Sequence, residues 1–503
     1  MTPVATDATR PVPEFPQTLG HPRPLWMLFM TEFWERFAFY GMRWALTLYI
    51  VAQFFNHDQA GQGYASRTYG AYLALVYASA IFGGYVADRI LGYQRSILLG
   101  AAVMGSGLFM VMVPNQQVFL AGLATVIVGN GLFKPNISSL VGQIYKQGDA
   151  RRDRGFTIFY MGINGGGLLA PLVTGWLASV LSDTPMEQNY KVVFAASGVG
   201  MIISLIWFFI GKSQLKGIGV PPPERNGTRS MLMVIVGILV AIPLVYLLMA
   251  QAGAIVIAWL LGVLFIGVGV MLVVEALRHG RVQIQRVIAM LLLFAFNVTF
   301  WMFFEQAGSS FNFLAENIVD RNMFNGAFIF PTGWFQSVNS AAIIALAPFV
   351  AWAWAWSAGI GKEPSIPRKF GLGLLFNALA FLVLMYALSS TVDGTGHIPF
   401  WPLALCYVMQ TVGELCLSPI GLSMVTKLAP SKVVGLAMGG WFLSTAIGNN
   451  LSGLLAGHIS GENGMTVASA LSGFTFSFWL LMGAGVLLFL IAPLINRLMH
   501  GVK

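Results

Sequence analysis

Charge is scarce in this sequence. Asp, Glu, Lys and Arg make up 9% of its 503 residues, against about 25% in an ordinary soluble domain. Hydrophobic residues make up 57%, and the mean hydropathy is +0.74. That balance excludes a soluble fold and points to an integral membrane protein. Strict apolar/polar alternation is also missing: the apolar residues come in runs of roughly 20, the length that spans a bilayer as helix, so a transmembrane β-barrel is excluded. Cysteine is nearly absent. Cys406 and Cys416 lie ten residues apart in one apolar run, roughly 15 Å along a helix and too far to bridge, so neither a disulfide framework nor a thiol metal site is expected. Residues 1–24 hold Pro11, Pro13, Pro16, Pro22 and Pro24 and no apolar core of a signal peptide, and read as a short disordered cytoplasmic tail. No H-E-x-x-H, G-x-S-x-G or Gly-rich phosphate loop with lysine occurs, and the six histidines are scattered, which argues against an enzyme.

What is present is a series of apolar runs. They fall near 25–55, 68–88, 95–113, 117–140, 155–181 and 191–211, then 230–250 and 253–277, then 287–315, 334–357, 370–390, 400–427, 434–458 and 471–496. The pattern predicts an all-α integral membrane fold of 14 spans, grouped six, two, six. The corresponding units are a tail 1–24, a six-helix bundle 25–211, a connector 212–286 carrying two extra central helices, and a second six-helix bundle 287–503. Two bundles joined by the basic, Pro-rich "GKSQLKGIGVPPPERNGTR" suggest a transporter that rocks about a midplane site.

The net charge of +9 raises the question of nucleic acid, and the positions of the cations answer it. With both termini inside, Arg89, Arg95, Lys146, Arg151, Arg152, Arg154, Lys212, Lys216, Arg225, Arg229, Arg278, Arg281, Arg286, Lys362, Arg368, Lys369, Lys427 and Lys432 all fall on the cytoplasmic side. Only Arg67, Lys191 and Arg321 fall opposite. This is the positive-inside asymmetry of a multi-pass cell-membrane protein, so the charge orients the chain and no nucleic-acid partner is needed.

After the loops are assigned, seven charges remain well inside spans: Glu32, Glu35, Arg36, Arg43, Lys134, Glu305 and Glu414. Each costs about 2.5 to 3.5 kcal/mol when alone and lipid-facing, so they must meet each other or water. At about 100° per residue Glu32, Glu35, Arg36, Tyr40 and Arg43 fall within about 140° of one another, one polar stripe on an apolar helix. That stripe should line a central cavity, with Glu32 and Arg36 as an i, i+4 pair. The two glutamates are candidate proton carriers, and Arg36 is then freed to take an anionic group when its partner is protonated.

The segment containing Glu32, Glu35, Arg36, Phe37, Tyr40 and Gly41 resembles E-x-x-E-R-F-x-Y-Y-G of the proton-dependent oligopeptide transporter family, a branch of the major facilitator superfamily. Phe39 stands where the family usually has the first of two tyrosines. "GGYVADRILGYQRS", with Gly83, Gly84, Asp88, Arg89, Gly92 and Arg95, resembles the superfamily's loop between its second and third helices. "FYMGINGGGLLAP" (159–171) and "GELCLSPIGLSMVTKLAP" (413–430) resemble further family signatures.

The resemblance implies proton-coupled import of di- and tripeptides by alternating access, with no cofactor beyond the proton and no partner beyond the bilayer, in a protein expected to be monomeric. A peptide is a zwitterion, so its site needs a cation, an anion and amide or hydroxyl groups between them. By resemblance Arg36 and Lys134 hold the carboxylate end and couple it to Glu32 and Glu35. Glu414 receives the amino terminus beside Asn164 and Asn339, Tyr40 and Tyr77 face the peptide backbone, and Trp441 is pocket wall. Arg43 and Glu305 form a gate salt bridge on the periplasmic side; Phe304 occupies the place of a second gate carboxylate. The nearest alternatives are carriage of another anion such as nitrate, or drug export by proton antiport, in the same fold. The complete E-x-x-E-R set together with Glu414 favours peptides.

Overall fold

The computed structural model describes residues 12–146, 148–182, 188–221, 227–324 and 326–502. Part of the expected tail, residues 1–11, and Arg225 lie outside the described residues. The chain is helical almost throughout, and its helices begin where the sequence supplies starts. Helix α1 (Pro24–Phe54) has proline in its first turn, where a missing N–H costs nothing. It is followed by α2 (Gln62–Val86) and α3 (Tyr93–Val111). In α4 (Gln116–Gln143) the side chain of Asn115 accepts from the N–H groups of Gln117 and Val118, a cap for two otherwise unpaired donors. Then come α5 (Arg152–Val180), α6 (Tyr190–Gly211), α7 (Thr228–Leu247), α8 (Gly253–Leu277) and α9 (Arg281–Phe304). Short α10 (Ser310–Asn317) leads into α11 (Trp334–Gly359), α12 (Ile366–Ser390), α13 (Trp401–Leu428), α14 (Val434–Ser460) and α15 (Val467–Met499).

Helices within each half pack on one another, and α2 with α14 and α5 with α11 pack across the halves. Among α1 to α6 the main contacts are α1 with α5 and α6, α3 with α4 and α6, and α2 with α4. In the second half they are α12 with α13 and α15, α9 with α14 and α15, and α11 with α13. The central pair bridges the halves. Val234 and Ile238 of α7 pack on Leu132 of α4 and Leu91, while α8 lies on α14 and α9, with Asn450 Nδ2 donating to the Ala254 carbonyl at 2.7 Å.

Among the described residues fourteen helices are 19 residues or longer, but eleven segments are both long and apolar enough to cross a membrane. The expected 14 spans are therefore not matched by that criterion. Helices α7 and α8 run together through a π-helical turn, Leu248–Ala252, into one 50-residue segment. Neither α1, with its four buried charges, nor α14 is among the eleven. In segment 228–277 only 11% of the most apolar stretch is buried in protein, leaving the remainder to face lipid.

Two expectations are corrected. Residues 12–23 are not a loose tail. Gln17–Thr18 and His21–Pro22 pair as a two-residue ladder. His21 Nδ1 meets the Tyr145 hydroxyl at 2.8 Å, Arg151 donates to Gln17 Oε1 and the Gly20 carbonyl, and Lys216 donates to the Glu14 carbonyl. The span expected at 287–315 is broken: α9 ends at Phe304, a 3-10 turn occupies Glu305–Gly308, and α10 continues from Ser310. Glu305 thus sits on a break in the helix.

Candidate functional site

The site is built on α1, and its stripe turns inward as the sequence predicts: Glu32, Glu35, Arg36 and Arg43 are all buried. The expected Glu32–Arg36 ion pair forms, but the closer partner of Arg36 is Glu35. Arg36 chelates its neighbour Glu35, with Nε to Oε2 and Nη2 to Oε1 both at 2.5 Å, whereas Glu32 Oε1 stands 3.4 Å from Nε. Glu32 Oε2 has no hydrogen-bond partner. The guanidinium lies 4.8 Å from the centre of the Phe39 ring, so the residue that departs from the family tyrosine covers the cation with an aromatic face. Asn130 of α4 donates to Glu35 Oε1 at 3.3 Å.

Lys134 is half-buried on α4, its Nζ 4.6 Å from the centre of the Tyr77 ring on α2. Opposite, α11 and α13 bring Asn339 and Glu414 together: Asn339 Nδ2 donates to Glu414 Oε2 at 3.1 Å and to Thr411 Oγ1 at 2.9 Å. Both side chains are half-buried. Asn164 is buried on α5, where its amide donates to the Tyr160 carbonyl of its own helix at 2.9 Å. Trp441 is only 4% exposed, packed edge-on against Phe294 and Phe370 with Gly421 beneath its ring. In this conformation it belongs to the aromatic core of the second bundle. A small pocket between the bundles is lined by Tyr40 and Arg43 from α1, Phe304 from α9 and Asn339 from α11, among others.

The cavity is closed at the end away from the chain termini. Arg43 Nη2 is ion-paired with Glu305 Oε2, its Nε donates to the Tyr69 hydroxyl at 2.6 Å, and its guanidinium lies 5.8 Å from the Tyr40 ring centre. At the same end α2 and α14 cross in close contact. A Cβ on Gly70 would stand 2.7 Å from Gly453 Cα and 2.9 Å from the Asn449 carbonyl oxygen, which only backbone-to-backbone packing explains. Gly453→Ala is therefore expected to disfavour this closed state selectively, by about 1–3 kcal/mol of overpacking. The check is the initial rate of substrate uptake by a variant that still elutes as a monodisperse peak. A wild-type rate would mean that the crossing does not have to close during transport.

Sequence reasoning singled out the charged residues and passed over Tyr69, Asn130, Gln336, Gln410 and Asn312. The available signal was uncharged polar residues inside apolar spans: Gln410 Nε2 donates to Asn377 Oδ1 at 3.0 Å, and Gln336 Nε2 to Asn312 Oδ1 at 3.2 Å, both pairs buried.

Residues 94–470 match the POT family. The chain belongs to that family. It is similar to "Peptide transporter YePEPT" of Yersinia enterocolitica, 35% identical with 96% of each chain covered, and to "Dipeptide and tripeptide permease B" of Salmonella typhimurium, 35% identical with 87% of each covered. Among solved structures it is similar to a peptide transporter POT in complex with sulfate, at TM-score 0.81, 33% identity and 97% coverage of both chains. It is also similar to a POT family transporter in complex with 5-aminolevulinic acid, at TM-score 0.81, 29% identity, 95% of this chain and 98% of that one. This POT-family chain is accordingly a multi-pass membrane transporter and not an enzyme, as the missing catalytic motifs anticipate. Its fold is the major facilitator type expected from the resemblance.

Proposed function

We propose that this transporter is a proton-coupled symporter importing di- and tripeptides by alternating access. The observation that carries the reading is the division of charge between the two halves, with the Glu32–Glu35–Arg36 cluster and Lys134 on the first bundle and Glu414 held by Asn339 on the second. A zwitterion with an amide backbone fits between them: its carboxylate takes Arg36 and Lys134, its ammonium takes Glu414, and Tyr40, Tyr77 and Asn164 lie along the backbone. The relatives support the substrate class. They include dipeptide and tripeptide permeases and a POT family transporter in complex with a thioalcohol-conjugated peptide.

In this reading Glu32 takes the proton at its unpartnered Oε2, which does not displace Arg36 from Glu35. Proton and peptide enter from outside, the bundles rock, and both leave inside. The Arg43–Glu305 pair then marks the closed outer gate of an inward-facing state, with both termini cytoplasmic and the protein in the plasma membrane as a monomer. The moving units are 25–211 and 287–503, with 212–286 spanning them and 1–24 on the cytoplasmic face. Beyond the proton no cofactor takes part. The driving force suffices, since one charge crossing 100 mV supplies about 2.3 kcal/mol, roughly a fiftyfold concentration ratio.

The test is uptake of labelled dialanine into proteoliposomes, with and without an inward proton gradient and inside-negative potential. Accumulation is expected only with the gradient. Failure of folded protein to accumulate the dipeptide at any of several pH values would move the reading to another anion or to drug antiport.

A further inference from the structure

We infer that Asn312 is a second, uncharged leg of the outer gate, one that positions the Glu305 turn against α1 independently of the Arg43–Glu305 pair. The inference rests on the alternating-access reading above. Asn312 lies on α10, fully inside the protein at 1% exposure. Its Nδ2 is within hydrogen-bond reach of the Trp44 carbonyl at 2.9 Å, the Thr47 hydroxyl at 3.2 Å and the Gly308 carbonyl at 3.1 Å. Trp44 and Thr47 belong to α1, so two of the three contacts cross between the bundles. Thr47 returns the contact, donating to the Gly308 carbonyl at 3.2 Å.

The element that carries Asn312 is fixed to the second bundle. Beyond α10, Ile398 N–H donates to the Ile318 carbonyl and Asp320 N–H to the Ile398 carbonyl, each at 2.8 Å. On the same side Gln336 donates to Asn312 Oδ1 and to the Ala307 carbonyl, and the Tyr407 hydroxyl donates to Ala307 as well. The break Glu305–Gly308 frees carbonyls that a continuous helix would have used. Inside a membrane such groups must find partners, and at Gly308 one of them comes from the opposite bundle. Opening this end pulls Thr47 and Trp44 away from Asn312 and Gly308 and leaves buried amide groups to be resolvated. That cost does not depend on protonation. The titratable groups around the turn are Arg43, Glu305, Tyr69 and Tyr407, with Lys134, Tyr40 and Tyr77 close enough to act on Glu305, and neither Asn312 nor Thr47 titrates. The gate therefore combines one leg that a proton on Glu305 would weaken with one that it would not.

The experiment is pulsed electron–electron distance measurement in lipid nanodiscs between spin labels at Ala60→Cys and Glu462→Cys, exposed positions in opposite halves at the closed end. Asn312→Ala is expected to raise the long-distance, open population roughly five- to hundredfold relative to closed, at every pH tested. Thr47→Val is isosteric, loses only the hydroxyl and serves if Asn312→Ala fails to fold; it is expected to act in the same direction by a smaller factor. Both should leave the pH dependence of the population as in the parent, whereas Glu305→Gln should flatten it. Unchanged distances in both variants would overturn the inference, as would a flattened pH dependence like that of Glu305→Gln. If the label pair shows a single distance in the parent and also in Gly453→Ala, alternation at this end fails, and the gate assignment with it. Two populations that ignore Asn312 and Thr47 remove only the latch.

Discussion

Glu32→Gln is expected to abolish gradient-driven accumulation of dialanine while sparing counterflow exchange of preloaded peptide to within a few-fold. The amide keeps the volume and one oxygen of the carboxyl group, and Arg36 keeps its two contacts with Glu35 at 2.5 Å, so the peptide site survives. What is lost is a group that can carry a proton at the oxygen that has no partner. Accumulation and counterflow measured on the same proteoliposomes separate the two steps; equal loss of both would show that Glu32 serves binding and not coupling. Glu35→Gln is the less diagnostic variant. It leaves the buried Arg36 with Glu32 alone at 3.4 Å, and breaking a buried ion pair costs about 3–5 kcal/mol, enough to confuse a transport defect with a folding one.

The same pair marks where sequence reasoning stopped. The stripe on α1 was legible because helical periodicity fixes which side chains share a face, and a charged face on an apolar helix has to look inward. The choice of partner within the stripe was not. Neighbours at i, i+1 do not face each other along an ideal helix, so Glu32 looked like the natural mate for Arg36. The structure shows Arg36 chelating Glu35 because both side chains are long enough to meet beside the helix, where Asn130 also donates to the carboxylate. Those donors come from tertiary packing, which the spacing of charges does not encode.

The break at Glu305 escaped for a related reason. No proline lies between 287 and 315, and the one local cue is Gly308. The turn is held from outside by Tyr407, Gln336, Asn312 and Thr47, residues far apart in sequence. Span boundaries elsewhere fell close to the helices because long apolar runs set them directly. Polar α1, α14 and the merged pair α7 and α8 are the places where hydropathy and helix count part. In α1 the chain departs from a plain apolar cylinder to carry the buried charged stripe, and in 228–277 it does so through a π-turn between two lipid-facing helices.

Glu414→Gln tests the other end of the substrate. If the peptide ammonium docks on Glu414, it gains a charge-assisted hydrogen bond, a contribution of about 1.5–3 kcal/mol, so the variant should lose roughly ten- to more than hundredfold in affinity for dialanine. N-acetylated dialanine has no ammonium and should bind wild type and variant alike. The amide introduced by the substitution keeps an oxygen for Asn339 Nδ2, now held at 3.1 Å from the carboxylate, so the frame of α11 and α13 is retained. Partial burial of Glu414 favours a group that exchanges partners over one locked in the core. Competition of the two ligands against labelled dialanine at a single pH reads the difference directly. An equal loss for blocked and free peptides would take the amino-terminal role from Glu414 and leave it as a support for Asn339. A selective loss would fix the direction in which the peptide lies, carboxylate toward Arg36 and amine toward α13.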